Sequence, residues 1–262
     1  MLAATTPRRS SVLPASLFRP RAQIGLFLFA YLVYSAARWL TVGDLAVAKD
    51  NAAWIMDLEH ELGVATEASV QQALDGTVAL WVLNHLYLAA QLIVVPGALF
   101  FLYRRSRPIY ERLRNTILAT WLISIPVYAA FPVAPPRLAD VGLVDTITTQ
   151  TGFAMDSKLT TSFYNELAAV PSLHVGFAVA VGIAIAAAVR NPLVKTLALL
   201  WGPAIGLAVV ATGNHFVFDI AAGLVASALG YGVGTVAARA TARRPESAAS
   251  SAPALRPCFG EA

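Results

Sequence analysis

Charged residues are scarce in this sequence. They make up 13% of the 262 residues, whereas hydrophobic residues make up 57%. Soluble domains carry charge on about a quarter of their residues, and a charged side chain inside a bilayer costs several kilocalories per mole. The composition therefore excludes an ordinary soluble domain and predicts an all-α integral membrane protein.

Other features are missing as well, and each absence excludes a class of site or partner. The single cysteine, Cys258, cannot form an internal disulfide or a zinc-type cysteine cluster. No basic stripe alternates with aromatic residues, so nucleic acid is not expected as a partner. No signal peptide is expected, because the apolar segment 23–42 is longer than a signal sequence core and lacks a clear cleavage site.

Six apolar stretches occupy the middle of the chain. A membrane-spanning helix needs about 20 mostly apolar residues, and the stretches approach this length at 24–42, 82–103, 116–134, 171–189, 196–213 and 216–237. We therefore predict a six-span helical bundle over residues 23–238. The segment 135–169 is too polar to span, and residues 1–22 and 239–262 are expected to be disordered tails.

The charges are distributed unequally between the two ends of the predicted spans. Arginines are concentrated in both tails and in the segment 104–114, whereas the segment 43–80 has one lysine and seven acidic residues. The positive-inside rule then places both termini in the cytoplasm and the segments 43–80 and 135–169 outside the plasma membrane. Within 43–80, the helical spacing of 50–63 fits either an interfacial helix or a plain extramembrane helix. The oligomeric state stays open.

Three short polar motifs lie at the outer ends of predicted spans. PPRL follows the third span, PSLHVG opens the fourth, and GNHFVFD opens the sixth. Folding would collect them at one membrane face, although they are far apart in sequence. Their candidate site residues are Arg137, Ser172, His174, Asn214, His215 and Asp219.

The spacing of His215 and Asp219 points to a functional pair. Residues four apart lie on one face of a helix, so the carboxylate can accept the imidazole Nδ1–H and leave Nε2 free. His174 begins another helix and is a candidate second acid/base group. These residue types are suited to proton transfer and to attack on phosphorus.

The remaining candidates are suited to holding a phosphate group. Arg137 offers a planar fork of donors that matches phosphate oxygens. Helix N-termini at Ser172 and Asn214 would add backbone N–H groups and positive dipole ends. We therefore expect Arg137, Ser172 and Asn214 to bind the phosphate of a phosphate ester.

The same residues also have simpler interpretations. His60 and His85 are expected to be structural, hydrogen-bonded histidines. His215 and Asp219 have a spacing that also suits a pair of metal ligands, but further ligands beyond His174 are not evident. We therefore expect no metal and no cofactor.

The chain resembles the phosphatidic acid phosphatase type 2 superfamily, in the branch shared with inositol phosphorylceramide synthases. The resemblance covers roughly residues 53–225. It is carried by NHLY at 84–87, RRSRPIYERLR at 104–114, FPVAPPRL at 131–138, VDT at 144–146, NELAAVPSLHVG at 165–176 and ATGNHFVFDIAAG at 211–223.

This resemblance implies a six-span bundle and a phosphohistidine mechanism that needs no metal. It implies that His215 is the nucleophile and Asp219 its orienting partner. It also implies that His174 protonates the leaving group and that Arg137 clamps the phosphate. The expected substrate is a lipid-linked phosphate, with membrane lipids as the surroundings.

The sequence departs from the wider superfamily at three points. A lysine expected before the first arginine motif is absent, Val209 replaces an arginine, and Leu173 replaces a glycine. These departures match the synthase-like branch. They leave the acceptor open, so the enzyme is either a phosphatase or a phosphotransferase such as an inositol-phosphate transferase.

Two further classes of function are alternatives to an enzyme. A transporter or flippase would carry ionisable residues deep within its spans and an internal inverted repeat, and the sequence has neither. A non-catalytic scaffold would not need His174, His215 and Asp219 intact. The enzyme is therefore the favoured hypothesis.

Overall fold

The structure is a computed structural model that describes residues 19–40, 43–155, 157–161 and 165–242. Most of the two predicted tails lies outside these residues. The first helix begins at Pro20, inside the segment predicted as the N-terminal tail. The last helix extends to Ala242, a few residues beyond the predicted end of the membrane domain.

The described part of the chain is helical, with no strand. An isolated parallel bridge joins Val133 to Ala168. Eleven α-helices are numbered here in chain order: α1 Pro20–Leu40, α2 Leu45–Glu61, α3 Glu67–Leu74, α4 Val78–Ala89, α5 Val95–Arg105, α6 Arg107–Ala130, α7 Thr146–Thr151, α8 Lys158–Thr161, α9 Leu173–Ala188, α10 Pro192–Ala211 and α11 Val217–Ala242.

Capping side chains mark several of the helix starts. Asp44 accepts a hydrogen bond from the Ala46 N–H at the start of α2, and Thr77 accepts one from the Leu80 N–H in α4. Asn191 caps α10 and is followed by Pro192, a residue favoured in the first helical turn because its missing N–H is not needed there. Local sequence chemistry thus fixes where these helices begin.

The second apolar stretch forms one long helix with a local irregularity. α4 and α5 are joined by a π-helical turn at Ala90–Val94, directly before Pro96. A proline inside a helix cannot donate its backbone hydrogen bond, and its ring crowds the preceding turn. The π turn absorbs this misfit, so the helix continues from Val78 to Arg105.

The long helices pack side by side into a bundle. α11 packs against α6 and α9, while α10 packs against α9 and α4, and α1 lies against α6. One cluster of buried apolar residues lies between α4, α9 and α10. A second lies between α5, α6 and α9. α9 therefore contributes to both clusters and forms the centre of the bundle.

Three of the described helices are long and apolar enough to cross a membrane: Val78–Arg105, Pro192–Ala211 and Val217–Val236. They expose large apolar side chains such as Leu92, Leu200 and Leu229, as lipid-facing helices do. These helices indicate a membrane protein. α1, α6 and α9 overlap the other three predicted stretches, and six spans remain a prediction.

The polar segments pack together at one end of the bundle. The Ala134 N–H donates to the Ala48 carbonyl over 3.0 Å, and the Asn51 amide donates to the Pro132 carbonyl over 2.8 Å. Lys49 forms an ion pair with Asp140. The segments 43–80 and 131–172 therefore cover the end at which α9 and α11 begin.

The membrane side of this end can be tested with a cysteine at Thr149, which is exposed in α7. In the predicted orientation, Thr149→Cys in a Cys258→Ser background should react with an impermeant maleimide on intact cells. The wild-type chain, whose single cysteine is Cys258, is the matched control and should react only after permeabilisation. The opposite pattern would reverse the orientation.

Candidate active site

The turn between α10 and α11 is held rigidly. The backbone N–H groups of Asn214 and His215 both donate to the Val209 carbonyl, over 3.0 and 3.1 Å. Gly213 has a φ of +68°, in the left-handed region that residues with a side chain rarely adopt. This turn places His215 two residues before α11 begins.

His215 and Asp219 form a side-chain pair, as their spacing predicts. The His215 Nδ1 lies 3.1 Å from the Asp219 Oδ2, and the same oxygen accepts the Phe216 N–H over 3.0 Å. Asp219 is fully buried and His215 is 6% exposed. Since Nδ1 faces a carboxylate, it carries the proton, and Nε2 is left with a lone pair.

His174 lies opposite this pair, in the first turn of α9. The two imidazole centroids are 6.0 Å apart. The His174 ring is stacked on the ring of Tyr87 at 4.1 Å and 16°, and within the described residues it makes no hydrogen bond. The structure thus brings together two histidines that are 41 residues apart in sequence (215 minus 174).

The two histidines are close because their helices touch backbone to backbone. A side chain on Gly223 of α11 would collide with the Ser172 carbonyl, and one on Gly176 of α9 would crowd the Gly223 carbonyl. The Ser172 N–H donates to the Asp219 carbonyl over 3.1 Å. Small residues at such crossings allow this approach.

Arg137 is fixed beside His215 by two contacts with the same turn. It lies in a short 3₁₀ turn, Pro136–Leu138. Its backbone N–H donates to the Gly213 carbonyl over 2.9 Å, and its Nε donates to the Asn214 Oδ1 over 3.0 Å. The guanidinium is therefore oriented before any ligand binds.

Ser172 and Asn214 are engaged within the protein. The Ser172 hydroxyl is fully buried and caps α9 at the Val175 N–H. Asn214 is 3% exposed; its amide donates to Thr212 and its oxygen accepts from Arg137. Their phosphate contacts remain predictions, while their visible roles are to cap a helix and to orient Arg137.

One cavity is lined by four of the six candidate side chains. It has a volume of about 1240 Å³ and is lined at one end by Arg137, His174, Asn214 and His215. The rest of its wall is mostly aliphatic and aromatic, from α1, α4, α5 and α6. Cavities of this kind, apolar with a few convergent polar groups, are typical ligand sites.

Tyr87 lines the cavity beside His174, a position that the sequence motifs did not predict. The signal was present in the motif NHLY, because Asn84 and Tyr87 are three apart and share a helix face. Asn84 is buried and bonds the Thr146 carbonyl and Gln150, whereas Tyr87 stacks on His174. One face of α4 therefore contacts both the segment 146–150 and the catalytic candidate His174.

His60 and His85 lie away from the cavity. Each Nδ1 contacts the carbonyl four residues earlier in its own helix, at Met56 and Trp81. This agrees with their interpretation as structural histidines. Among the described residues, no group of three or more His, Cys, Asp or Glu side chains could hold a metal ion.

Residues 53–233 match the family model of the PAP2 superfamily, so the chain belongs to that superfamily. Every candidate residue of the cavity's polar end falls within the matched range. No protein of curated function and no solved structure matches the chain. Membership supports a phosphatase-type enzyme that acts on lipid phosphates.

Proposed function

We propose that this protein is a lipid phosphate phosphatase or phosphotransferase that works through a phosphohistidine on His215. The observation that carries the proposal is the cavity, which joins His174, His215 and Arg137 to a long apolar wall. A phosphate head group requires charged donors, and a lipid chain requires apolar surface. One cavity provides both.

In the first step, the His215 Nε2 attacks the phosphorus of the lipid phosphate. A nitrogen–phosphorus bond forms as the bond from phosphorus to the lipid oxygen breaks. Protonated His174 gives its proton to the departing oxygen. The lipid then leaves as a neutral alcohol or, from a diphosphate, as a lipid monophosphate. Asp219 stabilises the positive charge that develops on His215.

In the second step, neutral His174 takes a proton from the acceptor, whose oxygen then attacks phosphorus. The nitrogen–phosphorus bond breaks, and both histidines return to their initial state. Water as acceptor gives inorganic phosphate, and an alcohol gives a new phosphate ester. Arg137 stabilises the charge on the equatorial oxygens in both steps.

The resemblance of the sequence to the synthase-like branch supports a transferase as the second form of this proposal. Val209 and Leu173 occupy the positions at which the wider superfamily pattern has arginine and glycine. In that form, the His215 Nε2 attacks the phosphorus of an inositol phospholipid and the bond to its lipid alcohol breaks. A second lipid alcohol, in place of water, then takes the phosphoinositol group from His215, and the product is a new inositol-containing lipid. The predicted orientation places either reaction at the outer leaflet of the plasma membrane.

The test is an assay of the protein purified in detergent. Phosphatidic acid, a polyprenyl diphosphate and an inositol phospholipid are supplied separately, with and without a lipid alcohol as acceptor, and released phosphate and new lipids are measured. We expect phosphate release from at least one lipid by the wild type and none by His215→Ala. Chelator should leave the activity unchanged, because the proposed steps use no metal.

Each other outcome has a defined meaning. A new inositol lipid without phosphate release would establish the transferase form. Activity that disappears with chelator and returns with a divalent ion would contradict the metal-free mechanism. If no lipid is turned over and His215→Ala still moves labelled lipid between leaflets of vesicles as wild type does, the enzyme proposal fails in favour of a transporter.

A further inference from the structure

Two buried glutamates cover the start of the helix that carries Asp219. The Val217 N–H donates to the Glu67 Oε1 over 2.8 Å, and the Phe218 N–H donates to the Glu59 Oε1 over 2.5 Å. The first N–H groups of a helix have no partner within the helix. Glu59 and Glu67, which belong to α2 and α3, supply partners for two of them.

These side chains are buried almost completely. Glu59 is 1% exposed and Glu67 is 2% exposed. Neither makes an ion pair with a cation among the described residues. A buried carboxylate without a cation is costly, and a second one beside it adds repulsion. Two full negative charges are therefore an unfavourable state for this pair.

One shared proton removes most of this cost. The Glu59 Oε2 is buried and has no hydrogen-bonding partner among the described residues, so a proton on it could be donated to the Glu67 carboxylate. The groups that face Glu59 are Glu67 on α3 and Asp219 on α11, which is paired with His215. Burial, the adjoining Glu67 carboxyl group and the negative charge of Asp219 raise the pKa of Glu59 to about 8.

The helix that presents Glu67 is itself anchored to the site. Gln71, one turn further along α3, donates to the carbonyls of Val144 and Ala211 and accepts the Val144 N–H. Ala211 is the last residue of α10, directly before the turn that carries Asn214 and His215. Together, α2 and α3 therefore contact the chain on both sides of that turn.

We propose that Glu59 and Glu67 are positioning residues that act as one singly protonated carboxyl pair, holding the first turn of α11 and thereby directing the His215 Nε2 into the cavity. The inference rests on the proposed function, because turnover reports the position of His215. It also gives the acidic segment 43–80 a role in the site.

The chemistry of the pair predicts which substitutions it tolerates. Glutamine has the shape of a protonated glutamate and keeps one acceptor and one donor. Glu59→Gln should therefore retain the contact with Phe218 and the donor towards Glu67, and keep kcat within severalfold of wild type. Glu59→Ala and Glu67→Ala leave a helix N–H unpaired and should lower kcat by ~10²-fold, as a small misplacement of a catalytic group does.

The pH dependence separates this role from a merely structural one. In the native chain the Glu59 proton is held more tightly than in the unfolded chain, where the carboxyl titrates near 4.5. Native stability contributed by the protonated pair is therefore complete below that pH and is lost as pH rises through about 8. Any fall in kcat from loss of the His174 proton is common to both chains. The wild type should show an additional fall at about pH 8, and Glu59→Gln should lack it because an amide does not titrate.

Amide hydrogen exchange tests the pair without any substrate. The peptide covering 214–220 should exchange faster in Glu59→Ala and Glu67→Ala, and at the wild-type rate in Glu59→Gln. Glu61→Ala is the matched control, because Glu61 is exposed on the same helix. It should change neither exchange nor kcat.

The outcomes separate the two proposals. If no lipid phosphate is turned over, the proposed function fails, and the exchange pattern alone then supports or overturns the carboxyl pair. If the alanine variants do not fold, the pH profile and exchange of Glu59→Gln decide. The inference is overturned if the alanine variants behave like Glu61→Ala, if Glu59→Gln keeps the wild-type fall in kcat at about pH 8, or if Glu59→Gln exchanges faster than wild type.

Discussion

His215→Ala is expected to abolish turnover of every substrate, including substrates with good leaving groups. Without the His215 Nε2 no phosphohistidine forms, and loss of a nucleophile that works with an acid/base partner costs on the order of 10⁶-fold. The measurement is kcat with the natural lipid and with an aryl phosphate. The folded state is checked from the thermal transition in detergent.

His174→Ala should behave differently, because its proposed role is to protonate the leaving oxygen. The aryl oxide of an aryl phosphate leaves without a proton, so the first step with this substrate should be nearly unaffected. A lipid alkoxide is a poor leaving group, and its release should slow by ~10²- to 10⁴-fold, the usual contribution of a general acid. Among the residues that the structure describes, His174 has Tyr87 against its ring and no acidic partner, unlike His215, as this division of roles requires.

Asp219→Asn supplies a third measurement on the same pair. The carboxylate holds the His215 Nδ1 proton over 3.1 Å and offsets charge on the phosphohistidine. We expect kcat to fall by at least ~10²-fold but less than for His215→Ala. If His174→Ala were equally damaged on both substrates and His215→Ala still cleaved the aryl ester, the two roles would be reversed.

Gly223→Ala is expected to lower turnover strongly, although Gly223 touches no substrate. An added methyl group would collide with the backbone carbonyl of Ser172, which cannot rotate away as a side chain can. Overpacking of this kind costs about 1–3 kcal/mol and would push α9 away from α11. Because His174 and His215 are at the ends of these helices, kcat should fall by ~10²-fold.

Gly232→Ala is the matched control on the same helix. A methyl group at Gly232 would have no atom within 4 Å, and alanine favours a helix over glycine by about 1 kcal/mol. Its kcat should equal that of wild type, with an equal or higher melting temperature. If Gly223→Ala also kept the wild-type kcat, the close contact of α9 and α11 would not set the geometry of the site.

Local features of the sequence determined much of the architecture. Apolar stretches of sufficient length form helices because lipid or a bundle interior leaves no other partner for their backbone groups. The spacing of four also predicted the pairing of His215 with Asp219, although the fold places His215 in the turn before α11 and not on the helix itself. Membership of the superfamily followed from motifs of the same local kind.

Contacts between distant segments were decided only by the tertiary structure. The 6.0 Å separation of the two histidines depends on Gly176 and Gly223. A glycine in an apolar helix favours close packing, but only the fold shows which backbone it meets. Ser172 and Asn214 looked like phosphate ligands at helix starts, but their burial and partners come from neighbouring segments. The sequence shows which hydrogen-bond donors and acceptors a residue has, but it does not show which of them are already bonded in the folded protein.

The acidic segment 43–80 shows this difference most clearly. The charged residues of this segment were enough to predict its side of the membrane, because that prediction counts residues and does not depend on where their side chains point. Only the fold turned Glu59 and Glu67 inward onto the N–H groups of Val217 and Phe218, while Glu61 on the same helix stayed exposed. Burial is a property of the whole assembly of helices, so a local pattern cannot distinguish a solvated carboxylate from one that positions the candidate active site.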